Sequence, residues 1–203
     1  KIWGIGLVTA KALHELGIRT VGQLRKTSPQ VLAMVFKNHV DDVLNLANGI
    51  DDRKVVPVRQ AKSMSAEETF AVDVSVSELL QPVLQQQVEE VSQRLRSQSL
   101  QARSITLKLR YSDFRTVTRR STFEPTNITS ILLDRAQKLL KTSHERSNGS
   151  IRLLGFQVSG LTPEGGGQKM LFADAEEEKL KKVDRVVDQV KSRFGKDALR
   201  RGL

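Results

Sequence analysis

The sequence of 203 residues contains no cysteine, few aromatic residues (4%) and no long apolar run. The absence of cysteine excludes a disulfide framework and thiolate metal sites. The three histidines, His14, His39 and His144, lie far apart in the chain, which argues against a His/Cys metal cluster. No stretch approaches the roughly 20 apolar residues that span a bilayer, and no signal region opens the chain. These absences predict a cytoplasmic protein without a membrane span.

Acidic residues are also fewer than basic residues. The chain carries 33 lysine and arginine residues against 23 aspartate and glutamate residues, a net charge of +10. Such an excess is typical of a protein that meets a polyanion. The excess is shared along the chain but is densest over residues 103–120, where six basic side chains accompany one acidic residue, Asp113. This segment is therefore the first candidate for a nucleic-acid contact.

Residues 1–50 are predicted to form a small helical domain of short helices with abrupt connections. Thr20 and Gln23 have the spacing of a capping box, which marks the start of a helix. Further predicted helices cover residues 9–16 and 39–47. Residues 51–62 (DDRKVVPVRQAK) are charged and carry a proline after two valines, so they predict an extended linker.

Residues 63–162 are predicted to form a second domain of the α+β class. The predicted elements are a strand over 64–72, a helix over 77–97, strands over 104–111 and 116–123, a helix over 128–143 and a strand over 151–158. Within the strand 104–111, apolar residues at odd positions alternate with polar residues at even positions, which gives one apolar face. The order β-α-β-β-α-β is the split βαβ arrangement, a four-stranded antiparallel sheet with two helices on one face.

Residues 163–203 are predicted to form a separate C-terminal segment. Three glycines at 165–167 interrupt regular structure, and the isolated run 168–172 precedes a charged helix over 175–194. The apolar stripe predicted on that helix consists of Leu180, Val183, Val187, Val190 and Phe194.

Gly4-Ile5-Gly6 followed at once by a helix is the pattern of a helix-hairpin-helix unit. The glycines allow the turn to bring the backbone amides of Gly4, Gly6 and Val8 close to a phosphate, and the helix N-terminus favours an anion. Lys11 adds a positive charge. The alternative is a tight turn between packed helices, but the helical and apolar residues that follow favour the phosphate-binding interpretation.

Several segments resemble Y-family translesion DNA polymerases of the DNA polymerase IV type. WGIGLVTAKALHELGIRTVGQL at residues 3–24 resembles the thumb of that family, and ANGIDDRKV at 47–55 resembles its exit. KSMSAEETF at 62–70 resembles the opening of the little-finger domain, although Met64-Ser65-Ala66 departs from the glycine-containing form. The resemblance covers nearly the whole chain in the family's order. It implies a thumb over 1–50, a linker over 51–62 and a little finger over 63–162.

The resemblance also implies where catalysis takes place. Polymerases of this family transfer nucleotides with two metal ions, Mg²⁺ being expected, held by carboxylates of a palm domain upstream of the thumb. No acidic pair in this chain matches that catalytic motif, and the chain opens within the thumb motif. The chain is therefore expected to be a fragment of a DNA-directed DNA polymerase that is inactive alone and binds no cofactor.

Thr118-Arg119-Arg120-Ser121 matches the family's template-strand contact and is expected on a central strand of the sheet. Guanidinium groups and a serine amide there would grip consecutive phosphates without reading bases. The other expected phosphate contacts of the little finger are Ser63, Arg103, Lys108 and Arg110. The alternative is a solvated strand face.

The run 168–172 (QKMLF) resembles the sliding-clamp-binding peptide of the family, with Gln168, Leu171 and Phe172 at the matching positions. Lys169 stands where the family often has leucine. The alternative is a loop packed on its own domain. The expected partners are thus primer-template DNA and the replicative sliding clamp, bound by a monomer.

Two other functions remain open from the sequence. A stand-alone module that tethers another protein to DNA would equally lack a palm. An RNA-binding sheet is the second, because the split βαβ arrangement also serves RNA recognition. That class stacks bases on strand aromatics, whereas this sheet offers mainly Tyr111 and Phe123.

Overall fold

A computed structural model describes residues 2–57, 60–74, 77–144, 149–165, 175–195 and 198–199. The chain divides into two compact units, Lys1–Arg59 and Gln60–Leu203. Each unit is described by itself.

The first unit is helical. Its elements are α1 (Leu7–Glu15), α2 (Val21–Lys26), α3 (Pro29–Phe36), a 3₁₀ turn (Lys37–His39) and α4 (Val40–Ala47). The predicted capping box is confirmed, since the Gln23 amide donates to Thr20 Oγ1 at 3.2 Å and the Thr20 amide donates to Gln23 Oε1 at 3.0 Å. The buried core consists of Leu13, Ile18, Leu24, Leu32, Val40, Val43 and Ala47.

The second unit has the predicted element order. It consists of β1 (Ser63–Val74), α5 (Ser77–Ser97), β2 (Leu100–Tyr111), β3 (Thr116–Thr126), α6 (Thr129–His144), β4 (Ile151–Pro163) and α7 (Ala175–Phe194). The strands form one antiparallel sheet in the order β1-β4-β2-β3. The predicted α+β class with a four-stranded antiparallel sheet and two helices is confirmed.

The expectation that residues 118–121 lie on a central strand is wrong, because β3 is an edge strand. A short hairpin holds β3 beside β2, and β4 returns between β1 and β2, so the two central positions go to β2 and β4. Strands β2, β3 and β4 also extend beyond the predicted ends. At the far end of β4, pairing of Gln101 with Thr162 continues the ladder where the apolar pattern has stopped.

One face of the sheet carries the core, and α5 and α6 cover it. The α5 stripe is fully buried and consists of Leu80, Leu84, Val88, Val91 and Leu95. It meets the odd-numbered apolar residues of β2 and the even-numbered residues of β4, such as Phe156. Each buried aliphatic side chain contributes about 1.5–3 kcal/mol to the stability of the fold, relative to the same side chain in water. Within the described residues these two helices leave the other face of the sheet, called the open face below, uncovered.

The C-terminal helix α7 keeps only part of the predicted apolar stripe, in which Leu180, Val187 and Val190 are half-buried. Val183 and Phe194 are 45% and 68% exposed, whereas the carboxylate residue Asp184 is 1% exposed. Asp184 Oδ2 accepts the backbone amide of Thr129 at 2.9 Å, at the start of α6, and lies 3.2 Å from Arg96 Nη1. Arg96 also forms two hydrogen bonds with Asp188, of 2.6 and 2.9 Å. Buried charge is tolerated there because Asp184 Oδ2 and both carboxylate oxygens of Asp188 accept hydrogen bonds from donors at the α5–α6 junction.

Replacing Asp184 with Asn is expected to lower the free energy of unfolding by about 2 kcal/mol, the scale of a hydrogen bond to a charged group. The neutral amide keeps the shape of the side chain but removes the charge facing Arg96. Urea denaturation of the variant and its parent measures the loss. Glu177→Gln, an exposed carboxylate of the same helix, serves as the control and should change little. Equal stability of the Asp184 variant and its parent would contradict a stabilising role for this contact.

Candidate nucleic-acid interface

The open face of the sheet carries mainly polar residues. Strand register places four rows of residues on it, each running from β1 across β4 and β2 to β3. The rows are Ser63-Ser159-Ser104-Thr122, Ser65-Gln157-Thr106-Arg120, Glu67-Gly155-Lys108-Thr118 and Thr69-Leu153-Arg110-Thr116. These rows hold three basic side chains, one acidic side chain and many hydroxyls. Such a surface can accept an anion but offers no aromatic ring.

Hydroxyl groups orient two of the three basic side chains. Arg120 Nε donates to Ser104 Oγ at 2.8 Å, and Arg110 Nε donates to Thr116 Oγ1 at 3.1 Å. A neutral hydroxyl partner holds a guanidinium in place without cancelling its charge. Both arginines therefore keep a full positive charge on the open face.

Lys108 is different because its partner is a carboxylate. Its Nζ lies 3.0 Å from Glu67 Oε1 and 2.9 Å from Glu67 Oε2. The predicted contact Lys108 is thus on the open face, but its charge is paired within the chain.

The segment 118–121 is divided between the two faces of the sheet. Thr118 and Arg120 are on the open face, whereas Arg119 and Ser121 pair with Leu107 and Ile105, on the face that the helices cover. Strand geometry requires this because successive side chains point to opposite sides. The two arginines therefore cannot act through one face.

Ser63 belongs to the row Ser63-Ser159-Ser104-Thr122, and Arg103 lies at the same end of the sheet. Ser63 begins β1 and pairs with Ser159, and Arg103 is exposed at a register shift between Ala102 and Ser104. A β-bulge of this kind redirects a side chain. Hydroxyl residues such as Ser104 and Thr116 were not predicted, although their alternation with apolar residues signalled their face.

In the first unit, the hairpin Gly4–Gly6 leads directly into α1. Gly4 has a φ of +88°, which favours glycine, whereas Gly6 is the N-cap with an ordinary φ of −86°. A side chain at Gly6 would have no atom within 4 Å, so neither backbone nor packing requires glycine there. Val8 and Lys11 are exposed on the first turns of α1. The hairpin thus leaves its backbone open to a ligand.

Residues of the predicted linker return to this hairpin. The Arg53 guanidinium lies 4.7 Å from the ring centroid of Trp3, and its Nε and Nη2 each donate to Asp51 at 2.6 Å. Hydrogen bonding to Arg53 lowers the pKa of Asp51 from 3.8 to about 2. Because the pKa is depressed, this ion pair is present at neutral pH and is lost only as the pH falls towards 2. Sequence patterns did not reveal this contact.

The predicted clamp contacts Gln168, Leu171 and Phe172 lie outside the described residues. Within the part of the chain that the structure describes, no three His, Cys, Asp or Glu side chains are grouped to hold a metal ion. None of the described helices is long and apolar enough to cross a membrane.

The comparisons with known proteins agree with one another. The profile of the impB/mucB/samB family C-terminal domain matches residues 61–171. A DNA polymerase IV of Brucella melitensis is 34% identical over 99% of this chain and 45% of its own length. A DNA polymerase IV of Listeria monocytogenes is 38% identical over 80% of this chain and 46% of its own length. The chain thus spans about half the length of these relatives.

Among solved structures, a Y-family DNA polymerase chimera resembles the chain with a TM-score of 0.68 at 20% identity. The match covers 80% of this chain and 46% of the chimera. At this identity the likeness concerns the fold.

Proposed function

The chain belongs to the impB/mucB/samB family of Y-family DNA polymerases, of the DNA polymerase IV type, and we propose that it grips primer-template duplex DNA through phosphate contacts. The observation that carries the proposal is the open sheet face, where Arg110 and Arg120 are oriented by hydroxyls and retain their charge. In the whole polymerase this grip serves translesion synthesis in DNA repair. Under this proposal, carboxylates of a palm domain hold Mg²⁺ for nucleotide transfer, and the described residues of this chain do not.

Phosphate contacts suit this task because they carry no sequence information. A polymerase that copies damaged templates has to hold DNA whose bases are altered. Guanidinium groups on the sheet bind phosphates by charge-assisted hydrogen bonds that do not depend on the base. The hydroxyls beside them add neutral donors along the same track.

The alternative of an RNA-binding sheet is disfavoured by the positions of the aromatic residues. Tyr111 is buried, and Phe123 packs against the core with the Arg135 guanidinium 4.7 Å from its ring centroid. Base stacking requires exposed rings on the open face. The four rows of that face contain none.

A second phosphate contact is proposed at the hairpin of the first unit, acting as a helix-hairpin-helix element. A tight turn alone accounts for Gly4, but the unhindered Gly6 is better explained by close approach of a phosphate to the backbone. The amides of Gly4, Gly6 and Val8 and the start of α1 would bind it, with Lys11 nearby. Under this proposal the first unit is the thumb and the second is the little finger.

The chain is expected to bind primer-template duplex with little sequence preference and a steep loss of affinity on addition of salt. Each phosphate neutralised contributes about −0.9 to the slope of log affinity against log salt, so contacts to three phosphates give about −2.7. Fluorescence anisotropy with duplexes of unrelated sequence, each titrated from 50 to 200 mM salt, measures both properties. Strong base preference, or affinity independent of salt, would contradict the proposal.

The stand-alone tethering module remains the second candidate. It has the same DNA contacts, so the titration does not separate the two. Restoration of primer extension, when this chain is joined to the palm and fingers of a related DNA polymerase IV, would support the polymerase role.

The same protein is proposed to bind the replicative sliding clamp as a monomer through Gln168, Leu171 and Phe172. Support comes from the sequence of the segment, in which an amide and two large apolar side chains follow three glycines. Apolar anchors of this kind are typical of peptide recognition in a pocket.

A further inference from the structure

Glu67 and Lys108 meet over the middle of the open face although their strands are not neighbours. Glu67 is on β1, Lys108 is on β2, and Gly155 of β4 lies between them in the same row. Both oxygens of Glu67 are within 3.0 Å of the Lys108 ammonium. The ion pair therefore crosses the central strand β4 on the open face of the sheet.

Gly155 makes this bridge possible. A Cβ at this position would lie 2.8 Å from Glu67 Cγ, closer than atoms tolerate. Gly155 does not have a positive φ, so its backbone does not require glycine. Its role is to leave space for the Glu67 side chain to cross the strand.

The pair makes the charge of the open face uneven. Towards β3, Arg110 and Arg120 are held by hydroxyls and remain positive. Towards β1, the single lysine is matched by the single carboxylate. Phosphates are therefore attracted to the β2–β3 half of the face and not to the β1–β4 half.

Stability does not account for the pair. The Lys108 and Glu67 side chains are 32% and 40% exposed, and ion pairs this accessible contribute about 0–1 kcal/mol. Removing one partner leaves the other in contact with water, so the fold should persist. A different role is required to explain the one carboxylate within the four rows of this face.

We infer that Glu67 is a positioning residue that holds Lys108 away from DNA and confines the phosphate track to the β2–β3 side of the sheet. The inference rests on the proposed function, because it concerns the same DNA-binding face. Glu67 lowers affinity and keeps the duplex on one track, which suits an enzyme that has to move along its template.

The test compares Glu67→Gln with Glu68→Gln. Both variants remove one negative charge from β1, but Glu68 pairs with Leu154 and is on the other face. In Glu67→Gln the freed Lys108 is expected to bind one more phosphate, which steepens the salt slope by about 0.9. Its affinity gain over the parent is then about three- to fourfold larger at 50 than at 200 mM salt. Glu68→Gln should leave the slope unchanged.

Gly155→Ala tests the same idea without changing any charge. The added Cβ displaces the Glu67 side chain, so this variant should also bind more tightly and with a steeper slope, provided that circular dichroism shows an intact fold. Equal slopes for the parent and Glu67→Gln, or weaker binding by either Glu67→Gln or Gly155→Ala, would overturn the inference. Absence of DNA binding by the parent would instead overturn the proposed function.

Discussion

Replacing Arg110 and Arg120 together with Glu is expected to weaken binding of primer-template duplex by about 100-fold. Hydrogen bonds to charged groups contribute about 1.5–3 kcal/mol each, so loss of two amounts to at least about 3 kcal/mol. The new carboxylates also repel phosphates. The loss should be the same for all duplex sequences, because the contacts are to the backbone.

The neighbouring residue Arg119 provides a matched control. It pairs with Leu107 on the opposite face of the sheet, so Arg119→Glu makes the same change of charge away from the open face. The single variant Arg120→Glu should lose about tenfold, the scale of one charged hydrogen bond. Arg119→Glu should lose much less.

Anisotropy titration at low salt measures all of these variants, after circular dichroism has shown each to be folded. Equal losses for the Arg119 and Arg120 single variants would place the contact at the edge of β3 and not on its open face. Unchanged binding by the double variant would remove the sheet from the proposed interface.

The second large effect is expected at the proposed clamp-binding segment, residues 168–172. Replacing Leu171 and Phe172 together with Ala should weaken binding to the replicative sliding clamp by at least about 2 kcal/mol, or about thirtyfold, if both anchors fill a pocket. DNA binding should be unaffected, because the anchors carry no charge. Calorimetry with purified clamp and anisotropy with DNA measure the two activities separately.

Lys169 supplies a variant with the opposite expected sign. Lys169→Leu restores the leucine of the clamp-binding pattern that this segment resembles, so clamp affinity should rise. The two outcomes that would contradict clamp binding are no measurable heat with the parent chain and equal binding by the Leu171 and Phe172 double variant. Either result favours a loop packed on its own domain.

Local patterns in the sequence predicted most of the fold. The spacing of Leu80, Leu84 and Val88 placed them on one helical face, and all three are fully buried. The alternation of apolar and polar residues over 104–111 predicted the two faces of β2, and the capping box at Thr20 is present. These predictions succeed because helical and strand periods are properties of neighbouring residues.

The candidate site depended on contacts that the sequence order does not reveal. Strand order decided that β3 is an edge strand, and the pleat divided Arg119 from Arg120. Register across three strands brought Glu67 over Gly155 to Lys108, residues separated by dozens of positions.

The C-terminal helix shows the same limit. Its apolar spacing predicted a stripe of five residues, of which Val183 and Phe194 are exposed, whereas the polar residue Asp184 is buried against α5 and α6. Only the folded unit brings Arg96 and the first amide of α6 side by side. A carboxylate can accept hydrogen bonds from both groups, whereas an apolar side chain cannot. By itself the sequence determined the elements, the polar face and the excess of positive charge. Tertiary structure decided which charges remain available, because pairing depends on distances between segments remote in the chain.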